Sequence, residues 1–102
     1  MEIKYQKSQE VLKVYINGEL DECSASNVKD ILDKLLINNI STKKVVFNLS
    51  GVSFMDSTGI GLLIGRYKKL AQFKIPLYIE DASIASEKVL TLAGLYSIIP
   101  KY

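Results

Sequence analysis

The chain of 102 residues contains no histidine. That absence removes the commonest general base, the Ser-His-Asp and Cys-His nucleophile systems, and the commonest metal ligand. A single cysteine, Cys23, rules out an internal disulfide and a thiolate zinc cage, and one unpaired thiol suits a reducing compartment. No uncharged apolar stretch approaches the roughly 20 residues needed to span a bilayer. The start, Met1-Glu2-Ile3-Lys4-Tyr5, has no basic segment followed by an apolar run, so no signal peptide is expected. An excess of one charge is lacking too: 13 Lys+Arg face 11 Asp+Glu, and a net +2 is too small to argue for a nucleic-acid surface. These absences predict a cytoplasmic chain that uses no metal or cofactor and is not an enzyme.

What remains is the composition of an ordinary globule, 48% hydrophobic and 24% charged, enough to build one core. No repeat, low-complexity block or linker interrupts it, so one domain over residues 1–102 is expected. Residues 2–7 and 10–17 alternate and read as two strands, the second ended by Asn17-Gly18. Val28, Ile31, Leu32, Leu35 and Leu36 then form one apolar stripe, which predicts a helix over 24–38 capped by Ser24 or Ser26, with Lys29, Asp30, Asp33 and Lys34 on its wet side. Lys44–Leu49 reads as a strand buried on both faces. A second helix is expected from about 57 to 72, a strand over Ile75–Ile79, a third helix over 83–93 closed by Gly94, and a last strand over Leu95–Ile99. The order β-β-α-β-α-β-α-β predicts an α/β fold, a mixed and mostly parallel sheet with helices packed on it.

The densest chemistry is Ser53-Phe54-Met55-Asp56-Ser57-Thr58-Gly59-Ile60-Gly61, at the start of the second helix. Loops beyond the carboxyl ends of parallel strands are where ligands and partners meet such folds. A nucleophile elbow fails here, because position 55 is Met and no histidine exists. A dinucleotide loop fails as well, since Gly59, Gly61 and Gly65 have the wrong spacing. Asp56 or Ser57 could simply cap the helix. Alternatively Ser57 is a substrate hydroxyl whose phosphate the positive helix end tolerates. Gly61 and Gly65 read as a bare surface open to another backbone, and Leu62 and Arg66, off the apolar stripe, read as part of a docking surface. Cys23 reads as a small packing residue, and the six tyrosines and three phenylalanines as core and edge residues.

Phe54-Met55-Asp56-Ser57-Thr58-Gly59-Ile60-Gly61, followed by Gly65-Arg66-Tyr67-Lys68, closely resembles the phosphorylation loop and following helix of bacterial anti-sigma factor antagonists, the STAS domain family. Gly18-Glu19-Leu20-Asp21 is similar to that family's turn after its second strand, and Leu90–Leu95 to the end of its third helix. Lys74-Ile75-Pro76 departs from the family's glycine-rich entry to the following strand. The resemblance implies a chain that binds an anti-sigma factor that is also a serine kinase, freeing the sigma factor. It implies phosphorylation on Ser57, which ends binding, and restoration by a PP2C-type phosphatase. Asp21, Asp56, Thr58, Gly59, Gly61, Leu62, Gly65 and Arg66 are the expected partner-binding residues, with Thr58 the alternative acceptor. Within the family the Gly-Arg-Tyr-Lys run looks most like sporulation antagonists, with general-stress antagonists next. Two other readings stay open: an acidic pocket or Mg²⁺-dependent phosphoacceptor built on Asp21 and Asp56, and a constitutive subunit in which Ser57 is only a helix cap.

Overall fold

Two alternating strands open the chain in a computed structural model describing all 102 residues: β1 (Glu2–Lys7) and β2 (Val11–Leu20), paired antiparallel. The inward set of β2, Leu12, Val14 and Ile16, is fully buried, as period-2 patterning requires. Helix α1 (Ala25–Ile37) follows and returns the chain to β3 (Lys44–Asn48), which runs parallel to β2. Val45, Val46 and Phe47 of β3 are all buried, so this strand is covered on both faces as its continuous apolar run predicts. Helix α2 (Ser57–Gln72) leads to β5 (Leu77–Glu80), parallel to β3, and α3 (Ile84–Leu92) follows. The sheet order is β1-β2-β3-β5, and a core of 21 residues joins sheet to helices.

Three expectations from the sequence need correction. First, β2 does not stop at Asn17-Gly18. It runs to Leu20 through an irregularity at Gly18/Glu19, and its last residues pair in parallel with an unexpected strand, β4 (Val52–Met55). β4 has no clean alternation, with Val52 and Met55 buried and Ser53 and Phe54 exposed, so the sequence pattern hides it inside the loop. Second, Leu95–Ile99 is not a strand. Gly94 adopts a left-handed backbone (φ 69°) after α3, and Leu95–Ser97 form a single 3₁₀ turn that buries Leu95 and Ile99 at helical spacing. The neighbour of β5 is instead the segment around Lys101, held by Ile79 N–H to Pro100 O (3.0 Å) and Tyr102 N–H to Ile79 O (2.8 Å). Third, Cys23 is exposed rather than packed, whereas the aromatics divide as expected between core and edge, with Phe47 buried and Tyr5 exposed on the edge strand β1. No helix is long and apolar enough to cross a membrane.

Candidate functional site

The loop from β4 to α2 is positioned by β2. Leu20 pairs with Met55, the Leu20 carbonyl accepts from Asp56 N–H at 3.4 Å, and the chain turns into α2 beside the end of β2. Asp56 is the N-cap: its backbone is extended, and its Oδ1 accepts from Thr58 N–H (2.9 Å) and Gly59 N–H (3.3 Å). That assignment settles which residue caps the helix. Ser57 is the first helical residue and is exposed, and its hydroxyl takes no part in the cap. Of the two cap candidates, Asp56 and Ser57, the cap is therefore Asp56.

Gly59 is buried because nothing larger fits: a Cβ there would lie 2.8 Å from the Leu20 carbonyl oxygen and 2.9 Å from Met55 Cγ. It lets the first turn of α2 seat against the end of β2. By contrast, a Cβ on Gly61 or Gly65 would meet nothing within 4 Å, so both are the bare surface their spacing suggests.

Asp21 lies one residue beyond β2, on the strand end that anchors the loop. Its Oδ1 accepts from Ser24 N–H (3.0 Å), while the Ser24 hydroxyl accepts from Asp21 N–H (3.1 Å) and donates to Glu19 O (2.7 Å). Ser24 stands at the N-cap position of α1 yet sends no side-chain bond into the helix, and Ser26 lies within it, so neither caps α1 as expected. Asp21 thus organises the turn into α1 rather than bonding the Ser57 hydroxyl. No three His, Cys, Asp or Glu side chains converge anywhere as a metal site would need.

Leu62 and Arg66 are not the exposed residues expected. Leu62 is 7% and Arg66 5% exposed, because α2 packs one face on the sheet and another on α1. Arg66 Nε lies 3.0 Å from Asp33 Oδ1 and Lys69 Nζ 3.1 Å from Asp33 Oδ2. Asp33 is accordingly partly buried between helices, not on a wet face. The edges of these side chains still reach solvent, in an open groove where α1 and α2 begin, lined by Ala25, Ser26, Lys29, Thr58, Gly61, Leu62 and Arg66. Four predicted site residues therefore share one surface. The contribution of α1, through Ala25, Ser26 and Lys29, has no signal in the sequence beyond a polar helix face.

The whole arrangement has counterparts in known proteins. A family model described as the STAS domain matches residues 2–102. The chain is 30% identical over 102 residues to the anti-sigma F factor antagonist of Paenibacillus polymyxa, covering 100% of this chain and 86% of that protein. It is 32% identical over 87 residues to the anti-sigma-B factor antagonist of Staphylococcus aureus, covering 85% of this chain and 79% of that protein. Its fold superposes on the anti-sigma factor antagonist SpoIIAA in its unphosphorylated form with a TM-score of 0.78, at 22% identity over 99% of this chain and 88% of that one. The phosphorylated form of SpoIIAA gives a TM-score of 0.70, again at 22% identity, over 99% of this chain and 91% of that one. The capped Asp-Ser-Thr-Gly loop, the strand end that seats it and a match over nearly the full length lead to one conclusion: the chain belongs to the STAS domain family.

Proposed function

We propose that this protein is an anti-sigma factor antagonist. In its unphosphorylated form it binds an anti-sigma factor that is also a serine kinase, and the sigma factor is released. The kinase then phosphorylates Ser57, binding is lost, and a PP2C-type phosphatase restores the active form. The protein is a regulator rather than a catalyst, and it works in the cytoplasm beside the transcription machinery. The observation that carries this reading is the exposed Ser57 hydroxyl, free of the cap and fixed at the first residue of α2. Relatives named as antagonists of both the sigma F and sigma B pathways support it, as does a fold neighbour solved in a phosphorylated form.

Physical chemistry supplies the switch. A phosphate adds roughly −1.5 to −2 charges. Within about 6 Å of a partner carboxylate or nucleotide phosphate, at an effective dielectric near 20, this costs on the order of 4–5 kcal/mol. A micromolar complex has only about 8 kcal/mol of standard binding free energy, so the change is roughly 10³ in affinity without refolding. Asp56, one residue away, adds a like charge to the face a partner must desolvate. The partner surface on this reading is Ser57 and Thr58 with Gly61, Gly65 and the exposed edges of Leu62 and Arg66, flanked by Asp21 and seated by Gly59.

Intact mass after incubation with ATP and the cognate kinase tests it. One phosphate is expected on the wild type and none on Ser57→Ala. Ser57→Ala is expected to bind the kinase constitutively and Ser57→Asp at least tenfold more weakly. Equal binding by both variants would falsify the switch. Because Ser57 makes no cap bond, Ser57→Ala should leave stability within about 0.5 kcal/mol of wild type, so its missing phosphate could not be blamed on unfolding. The sigma factor recovered with the kinase then separates a sporulation from a general-stress pathway.

A further inference from the structure

The two edges of the sheet are finished differently. Beyond β5 the chain closes the edge itself, through Ile79 N–H to Pro100 O (3.0 Å) and Tyr102 N–H to Ile79 O (2.8 Å). β1 is the other edge, and no element of the chain pairs with its outer side. The ladder shows which of its backbone groups are unused. Lys44 N–H bonds Glu10 O (3.1 Å), so even positions along β2 turn their backbone groups toward β3 and odd positions toward β1. The antiparallel register sets those odd positions opposite Glu2, Lys4 and Gln6. Ile3, Tyr5 and Lys7 therefore direct their N–H and C=O groups outward, away from the sheet.

This edge lacks most of the devices that blunt an open strand, namely proline, a bulge or very short length. β1 has 6 residues without proline and pairs with β2 in an unbroken register. Lysine, the common deterrent to edge pairing, is offset here by a glutamate on the same face. Glu2 and Lys4 stand on the face turned away from the core, while Ile3 and Tyr5 share the face of the buried Ile16 and Val14. Tyr5 is nevertheless 57% exposed. The Lys4 and Glu2 side chains approach only to 3.8 Å and both remain well exposed. A contact of that kind contributes little and leaves both charges free to pair elsewhere.

We propose that β1 pairs with β1 of a second copy of this chain, antiparallel and about a two-fold axis at Ile3, so that two sheets join into one. Three symmetric registers bring at least three outward-facing positions together. Centred on Lys4, the two Lys4 side chains oppose each other. Centred on Tyr5, Ile3 faces Lys7 and Glu2 has no basic partner. Centred on Ile3, the register sets Ile3 against Ile3, Met1 against Tyr5, and Glu2 against Lys4 at both ends. Each charge then meets its opposite and each apolar side chain another, which is what stabilises cross-strand pairs. The contact is isologous; main-chain hydrogen bonds give it affinity and the side-chain pairs give it register. One strand per copy is a small interface, so the expected Kd is on the order of 0.1–1 mM.

The test requires no kinase, so its outcome is independent of the phosphorylation reading. Sedimentation equilibrium of the unmodified protein, from about 20 μM to about 2 mM, should show a reversible monomer–dimer equilibrium. Lys4→Glu and Glu2→Lys each set like charges opposite one another and should weaken the dimer roughly tenfold. Combining the two substitutions should restore it to within about twofold. Net charge alone predicts otherwise: the first change cancels the chain's +2 and the second doubles it, so general repulsion would move the two in opposite directions. Tyr5→Pro removes an outward N–H without breaking the β1–β2 ladder and should give a folded monomer throughout the range. A wild type that stays monomeric, a dimer indifferent to Tyr5→Pro, or single charge variants that the combination does not rescue would overturn the contact.

Discussion

Gly59 and Gly61 stand two positions apart on one helix and carry opposite physical constraints. At Gly59 a methyl group would press on the Leu20 carbonyl, a backbone atom that cannot swing aside, and on Met55 Cγ. Gly59→Ala should therefore lose about 1–3 kcal/mol to overpacking, more than the improved helix propensity returns. Gly61 faces open space, so Gly61→Ala should gain about 0.8–1 kcal/mol from helix propensity alone. For a domain of about 100 residues each kcal/mol moves Tm by about 4–8 °C, so thermal melts should separate the two variants by more than their errors. Binding reads differently: the Gly61 methyl lies in the groove shared with Thr58 and Arg66. Gly61→Ala is expected to melt higher and bind the kinase less well. A variant that is both more stable and equally competent would remove Gly61 from the partner face.

Helix α2 was legible in the sequence because its signals agree: Asp56 before it, the apolar period within it, and residues 57–72 are helical as expected. Its exposure was not legible. A single apolar stripe assumes one buried face, whereas α2 is covered by the sheet on one side and α1 on another, which hides Leu62 and Arg66. β4 escaped notice because four residues with only the end positions inward have no period to detect. The end of α2 carries a local strain. Lys74 adopts φ 59°, the left-handed region that favours glycine. Its N–H bonds Ala71 O and the Ile75 N–H bonds Leu70 O, both at 3.0 Å, a Schellman closure with Leu70 and Ile75 buried beneath it. A lysine in this left-handed conformation costs about 1–2 kcal/mol that glycine avoids, partly offset by glycine's greater chain entropy. Lys74→Gly should raise Tm by several degrees, and a lower Tm would mean the lysine side chain supplies an interaction that outweighs its backbone strain.

The sheet is tied across its width by a polar network that also reaches the switch loop. Glu80 on β5 accepts from Lys13 Nζ on β2 (2.9 Å) and from Asn48 Nδ2 on β3 (2.8 Å), so one carboxylate spans three neighbouring strands. Asn48 Oδ1 in turn accepts from the Ser50 backbone N–H (3.0 Å) and hydroxyl (2.7 Å), fixing the turn that sends β3 into β4 and on to Asp56. The bond from Asn48 and the bond and charge of Lys13 hold the Glu80 carboxyl below its usual range, against the opposing effect of burial. Lys13 is raised in return, chiefly by its bond to Glu80. A depressed carboxyl contributes stability that is complete above its unfolded value of about 4.3 and is lost as pH falls through the lower folded value. The raised lysine contributes below its unfolded value of about 10.4 and fades as pH rises through its higher folded value. The network is thus intact at neutral pH and fails first on the acid side. Glu80→Gln keeps one acceptor and the shape but loses the charge, and should cost about 1–3 kcal/mol at pH 7. The discriminating measurement is Tm against pH from neutrality down to about 3, across the carboxylate range. Wild type should lose stability more steeply than Glu80→Gln as acidity rises, so that the two curves converge. Parallel curves would show that Glu80 contributes only its hydrogen bonds.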